Sequence, residues 1–562
     1  MIPLSNAQRR IWFLHSLYGE NAVYNSSLAL RLTGPLDRVA MRQGLQDVIS
    51  RHESLRTLLV ESDGEVHQKI LDSQESSPQL IVEELGGRAA ETALKEAIQR
   101  PFDLSSDLPL RAFLFPLGPD RHVLLLAIHH VASDGWSLGP LWKDFSAAYA
   151  ARSRRQAPQW EELPVQYADY ALWQRELLGD AADPQSLENR QLEFWRKTMD
   201  GLPDEIPMPF RGTRPTSPGR GGISIPFSVG QDVHRAVVEL AKATESTPFI
   251  VLQAAVAALF TKLDCGSDIP LGTAVAGRTD EALHDLVGFF VNSLVLRMDT
   301  TGDPTFLTLV QRARQVSLDA YAHQDLPFER LVEELNPPRV PGRHPLFQVM
   351  VTLQNNGPVE YALAGVDVAP QRIPSLGTDF DVTFLLDEVR DYDGEVSGIR
   401  GMVEFAADVF TEDVAKAVTE GFGGLLGRLV ESPQAVLSSA PIPVLPETTL
   451  PSSAAPATAT QGDESGATAY LAPRTPREEA LCGIVAEVLN QPRVGVDDNF
   501  FDLGLHSLLA MRVVSRIHRS LGIQVGMKEL FEYPTAALLS DHLAHAPKAG
   551  TNRPSLSRSR RS

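Results

Sequence analysis

The sequence lacks an excess of basic residues and has little cysteine. It has 51 lysines and arginines and 71 aspartates and glutamates, which gives a formal net charge of -20. Because a phosphate backbone repels an acidic surface, we do not expect nucleic acid as a partner. The two cysteines, Cys265 and Cys482, lie far apart without metal-type spacing. We interpret both as small buried residues of a protein in a reducing compartment.

Long hydrophobic runs are also missing. The longest extends from Phe249 to Phe260 and is interrupted by Gln253. It is shorter than the roughly 20 residues that span a bilayer, so it predicts a buried helix. The first residues lack the basic region followed by an apolar region that marks a secretory signal. We therefore expect a cytoplasmic protein with no membrane partner.

The chain of 562 residues exceeds the roughly 250–300 residues at which a single core stops growing. A stretch rich in Ala, Thr, Ser and Pro, from Glu447 to Thr468, has too few large apolar residues to offset its ordering entropy. It predicts a flexible linker over about 441–470, between a large unit at 1–440 and a small unit at 471–545. The basic tail at 546–562 is predicted to be disordered, which we favour over a docking role.

The large unit mixes helical and strand patterns. The predicted elements are a helix after a capping box at Ser5–Gln8, strands at 28–32, 123–128, 269–274 and 347–353, a helix capped by Ser137, and a helix beginning at Pro248. This alternation predicts an α/β sandwich, built twice along the chain.

The small unit is predicted to be all helical. Thr475 and Glu478 form a capping box around Pro476, which is favoured at the first helical position. A second helix is indicated by apolar residues at every fourth position from Leu509 to Leu521. Shorter helices are predicted near 527–531 and 535–543, which completes a small bundle.

Two histidines, His129 and His130, directly follow the predicted strand at 123–128. Neighbouring residues of an extended chain point to opposite faces, so at most one of them can enter a given cleft. This spacing also argues against a metal site, which usually places two histidines four residues apart on a helix. One histidine is therefore a candidate for chemistry, and the other is expected to pack or to orient the end of the strand.

The segment from His129 to Ser137 reads HHVASDGWS and resembles the HHxxxDG signature of the condensation domains of non-ribosomal peptide synthetases. The resemblance extends in order over nearly all of residues 1–440. With the histidine motif counted as the third, it is carried by a first motif at Leu4–Trp12, a second at Arg51–Thr57, a fourth at Tyr167–Tyr170, a fifth at Val287–Ser293 and a sixth at His323–Glu329. It implies the chloramphenicol-acetyltransferase-like α/β fold, with two lobes at about 1–175 and 176–440 around a tunnel.

The same resemblance implies roles for individual residues. His130 is expected to face the tunnel, where its imidazole either takes a proton from the attacking amine or positions that amine; a pKa near 6.5 suits proton transfer. Asp134 is expected to be structural and to pair with Arg278. Gly135 is expected to let a substrate approach the backbone, with its amide polarising the carbonyl. Asn292 is a candidate tunnel residue, with a structural hydrogen-bonding role equally open.

The small unit carries a second motif, DNFFDLGLHSL at Asp498–Leu508, which resembles the phosphopantetheine attachment site of peptidyl carrier proteins. The resemblance implies that Ser507 carries a covalent 4'-phosphopantetheine. A phosphodiester there would lie at a helix N-terminus, which favours anions. Leu505 stands where the family pattern usually has a second glycine.

No adenylation domain fits between the two units, so the resemblance implies partners: a donor carrier protein, an adenylation enzyme acting in trans and a phosphopantetheinyl transferase. The intact histidines disfavour a heterocyclisation subtype, and the opening motif resembles domains that join an L-configured donor to an L-configured acceptor. Two alternatives to amide formation stay open. One is ester formation with an alcohol acceptor; the other is a non-catalytic docking platform next to a functional carrier.

Overall fold

The structure is a computed structural model. It describes residues 2–445 and 470–543, except 19–21, 23, 63, 210, 213, 215–220, 339, 341, 355–360, 374–377, 392–394, 443, 490, 501, 502, 504, 506–512, 515, 518, 519, 522, 524, 526–528, 531 and 532. Two compact units are present. The described residues of Met1–Gln8, Ala22–Leu58 and Gln68–Ala454 form the first, and those of Arg9–Asn21, Leu59–His67 and Ala455–Ser562 form the second.

Helices and strands alternate through the part of the chain before residue 440, as the sequence patterns predict. The strands are β1 (Ile2–Pro3), β2 (Asn25–Thr33), β3 (Thr57–Ser62), β4 (Glu65–Ile70), β5 (Leu80–Val82), β6 (Leu110–Gly118), β7 (Arg121–His129), β8 (Gly222–Val229), β9 (Asp268–Val275), β10 (Asn292–Asp299), β11 (Val349–Leu353), β12 (Asp367–Pro370), β13 (Val382–Arg390) and β14 (Val396–Ala406). The helices are α1 (Asn6–Tyr18), α2 (Arg38–Arg51), α3 (Ala90–Ile98), α4 (Leu138–Ser153), α5 (Tyr167–Leu178), α6 (Leu187–Met199), α7 (Gln231–Ala243), α8 (Pro248–Lys262), α9 (Phe306–Ala322), α10 (Phe328–Leu335) and α11 (Glu412–Glu431).

The first of two large sheets has the strand order β12-β2-β7-β6-β5. β7 lies at its centre and pairs antiparallel with β2 and β6, with Asn25 opposite His129 and Leu110 opposite Ile128. The apolar run of β7 is buried on both faces of the sheet, as its continuous hydrophobicity predicts. This strand therefore delivers the histidine pair to one fixed end of the sheet.

The second large sheet has the order β10-β9-β11-β13-β14-β8. Its core includes α8, which begins at Pro248 after the N-cap Thr247 and whose residues Ile250–Phe260 are all buried. The four-residue strand β12 belongs to the second half of the sequence, yet it pairs with β2 in the first sheet. By its position after residue 175, β12 falls in the second predicted lobe, but it is paired with a strand of the first.

The small unit contains α12 (Pro476–Val488) and α13 (Ala536–Leu543). Its predicted capping box is present, since the Glu478 amide donates to Thr475 Oγ1 at 3.2 Å and the Thr475 amide donates to Glu478 Oε2 at 3.0 Å. Val513 and Ile517, predicted on the inner face of a helix, are helical and fully buried, whereas Leu509 lies outside the described residues. The predicted helix near 527–531 is described only at 529 and 530, which are helical.

Within the described ranges, no single helix is long and apolar enough to cross a membrane. α7 and α8 reach that length and hydropathy only when taken together, and they are bent by 105° where they meet.

Candidate active site

The two histidines diverge as the extended geometry of the strand predicts. His129 is the last residue of β7 and is 1% exposed, with its ring packed edgewise against Phe102 and Tyr24 at centroid distances of 5.9 and 6.4 Å. Its Nδ1 accepts a hydrogen bond from the Val131 amide at 3.1 Å. His129 therefore fixes the turn after the strand. No group of three His, Cys, Asp or Glu side chains among the described residues is arranged to hold a metal ion.

His130 begins a short 3-10 helix and is only partly buried. Its Nδ1 lies 3.0 Å from the carbonyl oxygen of Ser133. A carbonyl oxygen can only accept, so Nδ1 carries the proton of this hydrogen bond. In its neutral form the imidazole therefore has Nε2 as its basic nitrogen, which is the form that a general base requires.

The carboxylate of Asp134 is buried, and the structure brings it to Arg278 as the resemblance implies. It accepts hydrogen bonds from the Ser137 amide at 2.8 Å, the Phe290 amide at 3.0 Å and Arg278 Nη2 at 3.1 Å. The Arg278 side chain is 5% exposed and also lies over the ring of Phe290, 4.1 Å from its centroid. A buried charge needs such a set of partners, so this pair joins the two halves of the unit.

Ser137 has a different role from the predicted helix N-cap. It precedes α4, but its backbone is helical and its side chain makes no capping hydrogen bond. Instead its hydroxyl lies 2.8 Å from Asp134 Oδ1, Arg278 Nη2 and the Gly288 carbonyl, and accepts from the Gly288 amide at 3.1 Å. The cap prediction was wrong because a local serine signal cannot distinguish a cap from a buried partner 151 residues away.

Residues of the second and fourth motifs hold the same segment around Gly288. Ser54 Oγ donates to the Val287 carbonyl at 2.6 Å, and the Tyr167 hydroxyl donates to the Phe289 carbonyl at 2.6 Å. A Cβ atom at Gly288 would come within 2.2 Å of the Tyr167 ring. Glycine is therefore required at this position for the backbone to pass so close to the tyrosine.

The fifth and sixth motifs meet at Asn292. Its Nδ2 donates to the carbonyls of Gln324 and Leu326 at 2.9 and 2.8 Å, and its Oδ1 accepts from the amides of Ser293 and Phe328 at 2.9 and 3.0 Å. These four bonds use the whole hydrogen-bonding capacity of the amide. Of the two roles left open by the sequence, this geometry favours the structural one.

Gly135 follows Asp134 and is exposed, next to the end of the 3-10 helix. A Cβ atom at this position would have no atom within 4 Å, and the backbone is not in the left-handed region that favours glycine. Neither packing nor backbone conformation therefore requires glycine here.

A groove is lined by residues of four of the six motifs, the first, fourth, fifth and sixth. Its walls come from the start of α1, from α5 and from the fifth and sixth motifs, and include Ala7, Trp173, Leu177, Val291, Asn292 and Pro327. His130 is not among its lining residues, so this groove does not itself contain the candidate base.

Several residues near His130 were missed as site residues from the sequence. Phe289 approaches the imidazole with ring centroids 5.8 Å apart, and Tyr167 and Ser54 fix the backbone beside it. They lie in motifs that the sequence identifies, but nothing in those motifs marks which side chains meet. Their proximity depends on contacts between residues more than 120 positions apart.

In the small unit, Ser507 lies outside the described residues, whereas Leu505 is described. Leu505 is 2% exposed and belongs to the core of this unit, and its amide donates to the Phe500 carbonyl at 2.9 Å. The leucine that departs from the family pattern therefore serves as a core residue.

Two family models match the chain. The model named Condensation domain matches residues 1–446, and the model named Phosphopantetheine attachment site matches residues 479–543. The chain belongs to the condensation-domain family. The second match implies a 4'-phosphopantetheine covalently attached to a serine, and Ser507 lies within the matched range.

Among curated relatives, the condensation domain is similar to the "Dimodular nonribosomal peptide synthase" of Bacillus subtilis (strain 168), with 47% identity over 433 residues, which are 77% of this chain and 18% of that protein. It is also similar to the "Isonitrile lipopeptide synthase" of Mycobacterium tuberculosis, with 40% identity over 441 residues, 78% of this chain and 18% of that protein. The chain thus spans less than a fifth of the length of these relatives.

Among solved structures, the condensation domain is similar to the X-domain from teicoplanin biosynthesis. The TM-score is 0.72 and the identity 32%, over 78% of this chain and 97% of that chain. The first condensation domain of the CDA synthetase has a TM-score of 0.62 and 20% identity, over 78% of this chain and 99% of that chain, which bears on the fold alone. The predicted two-lobed, chloramphenicol-acetyltransferase-like α/β fold is confirmed.

The described residues of the carrier domain fit a phosphopantetheine-bearing protein. Its core includes Phe500 and Leu505, which belong to the attachment motif and are almost fully buried. A serine hydroxyl is the group that forms the required phosphodiester. When bound, the phosphopantetheine supplies a terminal thiol that holds acyl groups as thioesters.

Proposed function

We propose that this chain forms an amide bond in non-ribosomal peptide synthesis. The acyl or aminoacyl group of a donor thioester is transferred to the amine of an aminoacyl group held on the phosphopantetheine arm of Ser507. The observation that carries the proposal is the hydrogen bond between His130 Nδ1 and the Ser133 carbonyl, at 3.0 Å. It leaves Nε2 as the basic nitrogen, on a side chain that is only partly buried.

The chemistry assigned to His130 balances without an acyl-enzyme. The acceptor nitrogen attacks the thioester carbonyl, a C–N bond forms, and the C–S bond to the donor breaks. His130 Nε2 takes a proton from the nitrogen as it becomes positively charged, or positions the amine through the same hydrogen bond, and the proton leaves with the thiol. Because both substrates are tethered, much of the rate enhancement comes from proximity.

Gly135 and the buried pair of Asp134 and Arg278 support this step in different ways. Gly135 leaves space for the thioester at the backbone, and its amide is proposed to polarise the carbonyl oxygen. Asp134 and Arg278 are proposed to hold the loop after His130 against the second half of the domain. Neither of the paired residues is assigned a proton-transfer role.

The proposed partners follow from the arrangement of the two domains. Only 32 residues, 447–478, separate the two family matches at 1–446 and 479–543, which is too short for an activating domain. We therefore propose that a separate adenylation enzyme loads Ser507, that a donor carrier protein delivers the other substrate, and that a phosphopantetheinyl transferase modifies the serine.

Intact mass spectrometry tests the carrier assignment. The chain is incubated with coenzyme A and a broad-specificity phosphopantetheinyl transferase, beside Ser507→Ala and the control Ser520→Ala. Ser520 is an exposed serine of the same domain. We expect one phosphopantetheine on the wild type and on the control, and none on Ser507→Ala. A wild type that stays unmodified while folded would contradict the assignment.

A second candidate function is a docking platform without catalysis. It is favoured by one comparison, the solved complex of the X-domain and OxyB from teicoplanin biosynthesis, whose matched chain is 31% identical to this one. His130→Ala separates the two functions, because a docking platform would still bind its partner protein after this substitution. A catalytic domain would lose product formation while retaining the loaded carrier.

A further inference from the structure

Phe289 provides a bulky apolar wall directly beside the candidate base. The centroids of its ring and of the His130 imidazole lie 5.8 Å apart, and the rings are tilted by 47°. Its side chain is only partly buried, so the protein covers one part of the ring and leaves another part open. No sequence signal distinguishes it from the phenylalanine that follows.

The backbone that carries Phe289 is held on both sides. The Gly288 amide donates to Ser137 Oγ, the Phe289 carbonyl accepts from the Tyr167 hydroxyl, and the Phe290 amide donates to Asp134. Ser137, Tyr167 and Asp134 are each at most 1% exposed. The wall therefore cannot withdraw by a small shift of the loop.

The neighbouring Phe290 has a separate, structural task. It is 2% exposed and its ring packs against Tyr167 and Tyr170, with centroid distances of 5.1 and 4.7 Å. The ring of Phe290 is thus held in the core, and of the two neighbouring phenylalanines it is Phe289 whose ring packs against His130.

We infer that Phe289 is a specificity-determining residue that limits the size and charge of the acceptor's side chain. This inference rests on the proposed function. A base must lie about 2.6–3.2 Å from the nitrogen whose proton it takes. The α-carbon of an aminoacyl acceptor is bonded to that nitrogen, so its side chain begins within reach of a ring that touches His130. A phenyl wall disfavours a charged side chain, which would lose hydration without gaining a partner.

Competition between acceptors tests the inference. The carrier is loaded with glycyl, alanyl, leucyl or aspartyl groups from the corresponding aminoacyl-coenzyme A, and the products of one donor are measured for the wild type, Phe289→Ala and Phe249→Ala. Phe249 is a partly buried phenylalanine of α8 and serves as the matched control. We expect Phe289→Ala to raise the leucyl-to-alanyl product ratio about tenfold, because the removed ring makes room for the additional carbons of the leucyl side chain. The control should leave this ratio unchanged.

A second panel of donors, with acetyl and hexanoyl thioesters on a carrier protein, distinguishes the two substrate sides. The inference expects a change below about twofold in this panel for Phe289→Ala. A larger shift in the donor panel than in the acceptor panel would overturn the assignment to the acceptor, and so would unchanged ratios in both panels.

A readout without turnover separates this inference from the proposed function. Non-reacting amide analogues of the alanyl and leucyl groups are attached to the arm, and the NMR signals of the His130 imidazole are recorded. We expect a size-dependent shift in the wild type that Phe289→Ala abolishes. If the wild type forms no product but this pattern holds, the proposed function fails, whereas the contact between Phe289 and the side chain of the group on the arm is supported. Identical shifts for both analogues in the wild type would overturn the inference.

Discussion

Replacing Asp134 by alanine removes the carboxylate that links the loop after His130 to the second half of the condensation domain. The carboxylate is 1% exposed and accepts hydrogen bonds from Ser137, Phe290 and Arg278. The substitution leaves the guanidinium of Arg278, itself 5% exposed, without its counter-charge. Breaking a buried pair in this way typically costs about 3–5 kcal/mol. Since whole domains are stable by about 5–15 kcal/mol, the loss is a large part of the total.

The assay is urea unfolding of the full chain, with separate transitions assigned to the two domains. We expect Asp134→Ala to lower the unfolding free energy of the condensation domain by about 3 kcal/mol or more. Combining it with Arg278→Met removes both charges and should restore part of the loss. The recovery should be incomplete, because Arg278 Nη1 also donates to the carbonyls of Leu283 and Leu286.

Two results would refute this reasoning. One is a loss below about 1 kcal/mol for Asp134→Ala, which is the range of an exposed ion pair. The other is a double variant less stable than Asp134→Ala alone, since the account holds that the unpaired charge causes most of the damage. His130→Ala serves as the comparison, because it should slow product formation about 10²-fold or more with little change in the unfolding midpoint.

Three further predictions concern buried groups. Tyr167→Phe removes the hydroxyl that donates to Phe289 and should cost about 1–3 kcal/mol in urea unfolding. Burial raises the pKa of Tyr167 well above its usual value, so the contribution of its hydroxyl to stability is complete below about pH 10 and is lost as pH rises further. Between pH 10 and 12 the unfolding free energy of Tyr167→Phe should therefore fall less steeply than that of the wild type. Equal slopes for the two proteins would contradict this. Leu505→Gly should destabilise the carrier domain by about 3 kcal/mol or more, seen as faster hydrogen exchange in α12, and unchanged exchange would count against its core role. Burial raises the pKa of Cys265 to about 12 and of Cys482 to about 11, so neither thiol should react with Ellman's reagent at pH 8 until the protein is unfolded; rapid reaction of the native protein would show that they are not buried as described.

Much of the fold could be predicted because its signals are local. The continuous apolar run of β7, the capping boxes at Ser5 and Thr475, and the proline that opens α8 each act within a few residues. β12 could not be predicted in this way. It has four residues, mostly exposed, and its partner strand β2 lies more than 300 positions earlier in the chain.

The site was predictable in its residue types but not in all its contacts. His130, Asp134 and Gly135 are adjacent in one motif, and the separation of the two histidines follows from strand geometry. The hydroxyl of Ser137 and the ring of Phe289 acquire their partners only when segments about 150 residues apart meet. A serine before a helix gives the same local signal whether it caps that helix or binds elsewhere.

Transfer of an acyl group onto the chain's own carrier tests most directly whether His130 catalyses amide formation. The phosphopantetheinylated chain is loaded with an alanyl group on Ser507 and mixed with a donor carrier protein bearing an acyl thioester, and its intact mass is followed over time for the wild type and His130→Ala. We expect the wild type to gain the donor acyl group and His130→Ala to gain it about 10²-fold or more slowly while remaining folded. Transfer at the wild-type rate by His130→Ala, or a loaded wild type that never gains the acyl group from any donor tested, would contradict the account.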